Sequence, residues 1–403
     1  LLIANRGEIA CRIIRTAQRL NIPVATVYSD ADRDALHNSL ADESVYLGAS
    51  RPSESYLNVD RIIEAAKQVG ADALHPGYGF LSENSILAET CEKENIEFIG
   101  PPSHAIDCMA SKAQAAAIAI EAGVPVLPGF RETEYSDASL AKLAQSIGFP
   151  VLLKAALGGG GRGMSIVHSE HQLAESLTAV KAQAKEFFGN DLIIIEKYLN
   201  PARHIEVQIA ADKHGNAVHL FDRDCSAQRR YQKIVEEAPA PQISQNTRER
   251  MYEAAISLTR ALNYHSVGTI EFLLADTEFY FMEMNTRLQV EHTVTEQVTG
   301  FDLVEWQLRI AAGESISDWR IPSSPNGHSI QARIYAENPE KGFLPSPGHI
   351  RYLRYPSESV HLQMHTGVRQ NDVVDVHYDP LIAKVVVSDS DRPNTIERLN
   401  QAL

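Results

Sequence analysis

The apolar residues of this chain change period along its length, and each change marks an element. Leu1–Ala4 is a short apolar run of the kind a covered strand shows. Glu8–Leu20 carries apolar residues at helical spacing, and Pro23–Tyr28 returns to a strand. Strand, helix and strand at this spacing predict parallel pairing and a right-handed crossover. The alternation continues through a helix near Val59–Val69, a strand at Ala71–His75, a loop over Pro76–Asn84, a helix to Glu94 and a strand at Glu97–Ile99. An open, parallel α/β sheet is expected here. Its first turn, Asn5-Arg6-Gly7-Glu8, lacks the G-x-G-x-x-G that lets a backbone approach a pyrophosphate, so a dinucleotide site is excluded. The loop H-P-G-Y-G-F-L-S-E-N follows a strand's carboxyl end, where such sheets bind ligands; its glycines serve a tight turn equally well.

Gly100-Pro101-Pro102 breaks the pattern, and a helix from about Ala113 to Glu121 follows with Lys112 at its start. A cation is misplaced at a helix N-terminus, which already carries positive partial charge, unless it is solvated or meets an anionic ligand. A new unit begins near Gly123. Pro150–Ala155 reads as a strand carrying Lys154, and Met164–Val167 as another, with Leu157-Gly158-Gly159-Gly160-Gly161-Arg162-Gly163 between them. No G-K-[ST] leads into a helix, which excludes a P-loop. Four consecutive glycines between Lys154 and Arg162 suit a flap whose N–H groups cover phosphates better than an idle hairpin. Asp191–Leu199 is an apolar strand ending in Glu196, and an exposed backbone edge there would suit an adenine.

An α+β unit follows. Arg203–Ala210 and Ala217–Phe221 form a predicted hairpin around His214-Gly215-Asn216; His204 alone reads as structural. The run from Arg223 to Lys233 is rich in cations, fitting a solvated face or the lining of an anion pocket. Val267–Leu274 and Glu278–Met284 predict a second hairpin. Centred near Thr277, it sets Glu271 opposite Glu283, since each is six residues away. Like charges facing across a covered strand pair are destabilising, and two carboxylates with Asn285 beside them want a divalent cation such as Mg²⁺ or Mn²⁺. A slip of one residue undoes that reading. From Glu283 to Glu291 the sequence E-M-N-T-R-L-Q-V-E alternates polar and apolar residues. Eight extended steps span about 26 Å, too long for one site. A strand carrying Glu283 and Asn285 must therefore give way to a turn that brings Arg287, Gln289 and Glu291 back, a metal end followed by an anion end. Beyond it, Asp302 with Glu305 marks a helix start and Gly313 its end, Ser329–Val387 reads as short strands, and a helix begins near Glu397.

Composition narrows the class. A chain of 403 residues holds two to four structural units. A net charge of −15 with no basic cluster argues against nucleic acid. Four cysteines far apart predict reduced thiols in an intracellular protein, and no apolar run approaches the roughly 18 residues of a membrane helix. The chain opens inside a predicted strand, so any targeting segment is expected to have been cut away, and no compartment can be read from the N-terminus.

With flap, adenine edge and carboxylate pair in view, the chain resembles an ATP-grasp enzyme. Across its whole length it is similar to the biotin carboxylase component of biotin-dependent carboxylases. The motifs are A-N-R-G-E-I-A, H-P-G-Y-G-F-L-S-E-N, G-G-G-G-R-G-M, R-D-C-S-x-Q-R-R, E-E-A-P-A-P, E-M-N-T-R-L-Q-V-E-H and Y-D-P-L-I-A-K. L-V-E-W-Q-L-R-I-A-A-G-E and T-G-V-R-Q look most like acyl-CoA carboxylases of the 3-methylcrotonyl-CoA type. The resemblance implies an α/β and α+β fold: a Rossmann-like domain over 1–110, a lid with its flap over 111–199 (its first part, 111–122, a helical linker), a catalytic subdomain over 200–325 and a β-rich C-terminal domain over 326–403. It implies that bicarbonate attacks the γ-phosphate of ATP to give carboxyphosphate, from which CO₂ reaches biotin.

By motif match, Glu291 is the base, while Lys233, Arg287, Gln289 and the Val290 backbone hold bicarbonate. Arg333 faces the biotin enolate, with Tyr78, Gly79 and Asp379 beside the biotin. ATP falls to Lys112, Lys154, Gly160, Gly161, Glu196, Lys197, Tyr198, Leu199, His204, Gln228, Tyr231, Glu271 and Glu283, and the metal to Glu271, Glu283 and Asn285. Implied partners are a biotin carboxyl carrier domain, a carboxyltransferase subunit and further copies of the chain. The implied compartment is the bacterial cytoplasm or the mitochondrial matrix. Two departures stand out. Tyr231 replaces the family's usual His, putting a ribose contact in doubt, and Thr293 replaces the usual Pro, which is expected to loosen the backbone behind Glu291. The family's chain also runs past the position of Leu403. Rival readings are another carboxyphosphate-forming ATP-grasp ligase and a non-catalytic ATP-binding module.

Overall fold

The computed structural model describes residues 1–130, 137–155 and 163–403; the glycine-rich flap, with Gly160 and Gly161, lies outside the described residues. The expected parallel sheet is present. It comprises β1 (Leu2–Ile3), β2 (Ala25–Ser29), β3 (Glu43–Gly48), β4 (Ala73–His75) and β5 (Glu97–Phe98), in the order β3-β2-β1-β4-β5. β3 escaped the sequence reading because it is a half-buried edge strand with a broken alternation. Strand order reverses on either side of β1, so the turns after β1 and β4 flank a crevice, the usual ligand position in such sheets. Asn5 ties them together, its amide donating to the carbonyls of Pro76 (2.7 Å) and Tyr78 (2.9 Å).

A four-stranded sheet follows, β6 (Gly129–Phe130), β7 (Val151–Ala155), β8 (Met164–Val167) and β9 (Ile193–Lys197), in the order β6-β9-β7-β8. Leu153, Val167 and Ile195 pack under the helices Asp137–Ile147 and Glu170–Phe188, forming a separate small core. β9 is interior and paired on both sides, so among the described residues the backbone edge expected for an adenine can lie only past its end, toward Leu199.

The largest sheet is antiparallel with eight strands. In spatial order they are β14 (Glu278–Asn285), β13 (Ser266–Ala275), β10 (Arg203–Ala211), β11 (Ala217–Arg229), β12 (Gln232–Ala238), β15 (His328–Tyr335), then Leu381–Asp389 and Leu362–Thr366. β11 runs to Arg229 instead of stopping at Phe221, so most of the cationic run lies in a strand. It turns into β12 through Arg230 and Tyr231, both at positive φ. Sheet pairing crosses residue 325 without a break, β12 bonding directly to β15. The final helix starts at Arg392, capped by Asp391, rather than near Glu397. Gly367 shows why T-G-V-R-Q meets the first turn: a Cβ there would stand 2.3 Å from the Gly7 carbonyl carbon.

His75, at the end of β4, is fully buried, and its Nδ1 accepts the Gly77 N–H at 3.0 Å. Burial holds its pKa down at about 3. The unfolded chain therefore binds a proton there that the folded chain refuses, and stability falls as pH drops from 6.5 toward 3. The expected loss from this residue between pH 6.5 and 5 is about 2 kcal/mol. Urea titrations at the two pH values check it: His75→Gln should shrink the difference, and an unchanged difference would refute the assignment.

Candidate active site

The antiparallel hairpin β13–β14 does place Glu271 opposite Glu283, by way of a bulge. Ala275 pairs with Glu278 and Phe272 with Phe281, a register that would set Glu271 against Met282. The pairing shifts by one residue between Phe272 and Glu271, and Glu283 comes into line. After Asn285 the strand ends, and coil carries Arg287 to Glu291 back to a helix beginning at His292. The division into a strand end and a returning turn is as the length argument requires.

Beneath the turn lies Arg223, which no sequence argument had singled out. It is fully buried, and each of its five N–H groups finds an acceptor. Nε donates to Glu206 (2.9 Å), Nη1 to Gln208 (2.6 Å) and Thr295 (3.0 Å), and Nη2 to Thr269 (2.9 Å) and Gln289 (2.7 Å). One guanidinium thus joins β10, β13, the returning turn and the helix behind it. A signal for its partners did exist: His204, Glu206 and Gln208 alternate with Ile205, Val207 and Ile209 along β10, putting three polar groups on one face.

Lys233, on β12, spends its ammonium on three carboxylates: Glu206, Glu271 (2.8 Å) and Glu291 (2.8 Å). Burial opposes its charge, but Glu206, Glu271 and Glu291 outweigh burial and hold its pKa well above the ordinary value. His204 lies 2.8 Å from Glu271, so it belongs to the site despite its structural appearance in isolation. Glu271 also accepts from the amides of Asn285 (2.8 Å) and Gln289 (2.9 Å). Glu283 faces the open side and accepts no hydrogen bond among the described residues; neighbouring Glu271 first, then burial, raise its pKa. Two aligned carboxylates, one raised by the other, with an amide beside them, fit a hard divalent cation. Glu291 is buried, and although burial pushes its pKa up, Lys233, Arg333 and Arg223 bring it below the usual carboxylate value, so it stands ionised.

These groups line one cavity of about 460 Å³, which gathers Lys112, Lys154, Glu196, His204, Gln228, Tyr231, Lys233, Glu271, Glu283, Asn285, Arg287, Gln289, Val290, Glu291 and Arg333. A second, of about 420 Å³, holds Tyr78, Gly79, Asp379 and the Asn5–Glu8 turn, and shares Arg287, Val290 and Arg333 with the first. Among the described residues, three predicted ones stand apart from both linings. Lys197 turns its ammonium onto the carbonyls of Gly148 (2.8 Å) and Phe149 (3.1 Å), which makes it a structural tie. The N–H groups of Lys197 and Tyr198 bond to Pro128 and Pro150 carbonyls; that of Leu199 has no partner among the described residues.

Tyr231 lies at the cavity mouth, largely exposed, on a left-handed turn residue. Thr293 follows Glu291 and His292 in the chain. It is fully buried in the first turn of its helix, where its hydroxyl donates to Gln331. Its own N–H bonds to nothing among the described residues, so the group a proline would lack is unused here. Sequence reasoning missed four more contributors: Glu206, Glu236 on Arg333 (2.5 Å), Glu83 on Arg287 (2.9 Å) and Lys384, which spans Glu8 (3.0 Å) and the Val290 carbonyl (3.0 Å).

Models of known families cover nearly the whole chain. "Biotin carboxylase, N-terminal domain" matches residues 1–106, "Carbamoyl-phosphate synthase L chain, ATP binding domain" 111–319, and "Biotin carboxylase C-terminal domain" 331–403. Biotin carboxylase 2 of Bacillus subtilis is 50% identical over 404 residues, covering 100% of this chain and 90% of that one. The chain belongs to the biotin carboxylase family. The mitochondrial methylcrotonoyl-CoA carboxylase subunit alpha of Dictyostelium discoideum is 52% identical over 404 residues; this chain spans 58% of its length. Among solved structures, biotin carboxylase of Campylobacter jejuni, as a beta-gamma-ATP complex, superposes with a TM-score of 0.94 at 46% identity, covering 100% and 90% of the two chains. The biotin carboxylase domain of Hydrogenobacter thermophilus 2-oxoglutarate carboxylase, with MgADP, ADP and bicarbonate, gives 0.94 at 41%, covering 100% and 88%. The fold is therefore the ATP-grasp of this family.

Arg223→Met should strand Glu206 without its buried guanidinium partner and cost about 3–5 kcal/mol. Arg223→Met with Glu206→Gln should recover a measurable part of that loss. Chemical denaturation of both variants tests the point, and a double variant no better than the single would show that charge pairing is not the cause.

Proposed function

We propose that this chain carboxylates biotin at the expense of ATP, the first half-reaction of a biotin-dependent acyl-CoA carboxylase. What carries the reading is the junction of the two cavities at Arg287, Val290 and Arg333, with the ionised Glu291 in the wall of the first. The ATP-side lining would hold the nucleotide, with Lys112 and Lys154 toward its phosphates and the N–H of Leu199 toward the adenine. Glu271, Glu283 and Asn285 would hold Mg²⁺ or Mn²⁺, which when bound supplies neutralisation of phosphate charge. Arg287, Gln289, the Val290 backbone and Lys233 would cradle bicarbonate, an Arg fork matching a planar oxyanion.

Glu291 takes the bicarbonate proton as an oxygen attacks the γ-phosphorus; the bond to ADP breaks and carboxyphosphate forms. Carboxyphosphate then splits into CO₂ and phosphate. Biotin, entering from the side of Tyr78, Gly79 and Asp379, gives the proton on N1′ to the phosphate just released, and that nitrogen bonds to CO₂. Arg333 faces the enolate oxygen that develops, the placement in which fixed cations are worth most. The biotin would arrive on a carrier domain and leave for a carboxyltransferase subunit, which selects the acyl-CoA. The units 1–110, 111–199, 200–325 and 326–403, assembly with further copies, and a mitochondrial matrix or bacterial cytoplasmic setting complete the proposal.

The test is bicarbonate-dependent ATP hydrolysis, measured with and without free biotin. Stimulation by biotin is expected; ammonia-dependent turnover indifferent to biotin would support a carbamoyl phosphate ligase instead. Arg287→Ala and Glu291→Ala should each lower kcat by at least about a hundredfold, in the range of lost oxyanion contacts, while nucleotide affinity holds. Parallel loss of nucleotide binding in both would show the turn to be scaffolding.

A further inference from the structure

Arg333 stands between two acids. Its Nε donates to Glu236 at 2.5 Å and its Nη2 to Glu291 at 3.1 Å, with Nη1 a distant 3.4 Å from the Tyr335 hydroxyl. Glu236 is completely buried on β12 and lines neither cavity. Its other oxygen accepts from the Gln331 amide at 2.9 Å, and the Gln331 carbonyl oxygen accepts from the Thr293 hydroxyl. Gln331 and Thr293 are also fully buried. Thr293, Gln331, Glu236, Arg333 and Glu291 thus form one chain of directed contacts from the back of the helix to the cavity wall. The direction has a cause: the Glu236 carboxylate only accepts, so it takes the Gln331 N–H, and the Gln331 carbonyl oxygen is left to accept the threonine O–H.

Without Glu236, the nearest carboxylate to Arg333 is Glu291, and a guanidinium fork pairs with a carboxylate through two N–H groups when free to turn. We propose that Glu236 is a positioning residue. It holds Arg333 by Nε from behind, through a relay anchored at Gln331 and Thr293, so that Arg333 keeps N–H groups for the biotin side and does not close fully onto Glu291. Burial pushes the Glu236 pKa up to about 7 although Arg333 opposes this, in keeping with a group enclosed for its contacts and shut off from solvent. The proposal rests on the biotin carboxylase reading for its kinetic test and on geometry alone for its spectroscopic one.

The kinetic arm uses the full chain with free biotin. Glu236→Gln should lower biotin-stimulated kcat by about ten- to a hundredfold while the KM for ATP stays within about twofold, in the range of losing one oriented charge contact. Thr293→Val should lower the same kcat by about three- to tenfold, and Thr293→Ser should restore it. The spectroscopic arm follows the Arg333 Nε–H resonance by ¹⁵N NMR, assigned through Arg333→Lys. It should be slow to exchange in the unaltered protein and shift in Glu236→Gln and Thr293→Val but not in Thr293→Ser. If Glu236→Gln does not fold, the Thr293 pair carries both arms. Equal losses in kcat and ATP affinity, an unaltered kcat, or an unmoved resonance would each overturn the proposal. Absence of biotin stimulation in the unaltered protein would count against the enzymatic reading alone, and the resonance would still decide the position of Arg333.

Discussion

The site depends on one buried guanidinium. Arg223 lies where four elements meet, and every N–H it owns is answered within the protein. A charge so enclosed is tolerable only because Glu206 shares its surroundings. That requirement orders what surrounds it. Glu206 must also face Lys233; Lys233 brings in Glu271 and Glu291; Gln289 is held between Arg223 and Glu271. The returning turn therefore keeps its shape through ionic contacts to the sheet beneath it rather than through any ladder of its own.

Such a network would also let an acidic protein receive the anionic substrates proposed for it. The net charge of −15 says nothing about the cavity, where His204, Lys233, Arg287 and Arg333 face Glu271, Glu283 and Glu291 at close range. The cations are already held in place by carboxylates, so little reorganisation is needed when an oxyanion arrives. His204 makes the same point: burial disfavours its charge, yet Glu271 and Glu206 raise its pKa to about 10.

Legibility in the sequence followed the range of the interaction. The parallel sheet, the helix cap at Asp302 and the division of Glu283–Glu291 into strand and turn were readable, because period and length are local properties. Arg223 was not. Within R-D-C-S-x-Q-R-R it looks like its neighbours Arg229 and Arg230, and only the three-dimensional partners distinguish a buried hub from cations at the edge. Lys197 is another case: the family resemblance assigns it to ATP, while in the fold the carbonyls of Gly148 and Phe149 claim its ammonium. The pairing of Glu271 with Glu283 was read correctly from a centre at Thr277, although the turn itself is centred half a residue earlier and a bulge makes up the difference.

That bulge is more than a correction of register. In a regular hairpin Glu271 would face Met282, and a carboxylate opposite an apolar side chain binds no cation. One unpaired residue on β14 moves Glu283 and Asn285 together to the face that holds Glu271, while Phe279 and Phe281 keep their places in the core on the other side of the shift. Packing and chemistry thus ask for different registers along one strand pair, and the chain satisfies both by changing register between them. The same logic applies at Thr293, where an unused N–H permits either residue in the backbone and only the hydroxyl connects to Gln331. In each case the backbone tolerates an alternative, and the side-chain contact gives the position its meaning.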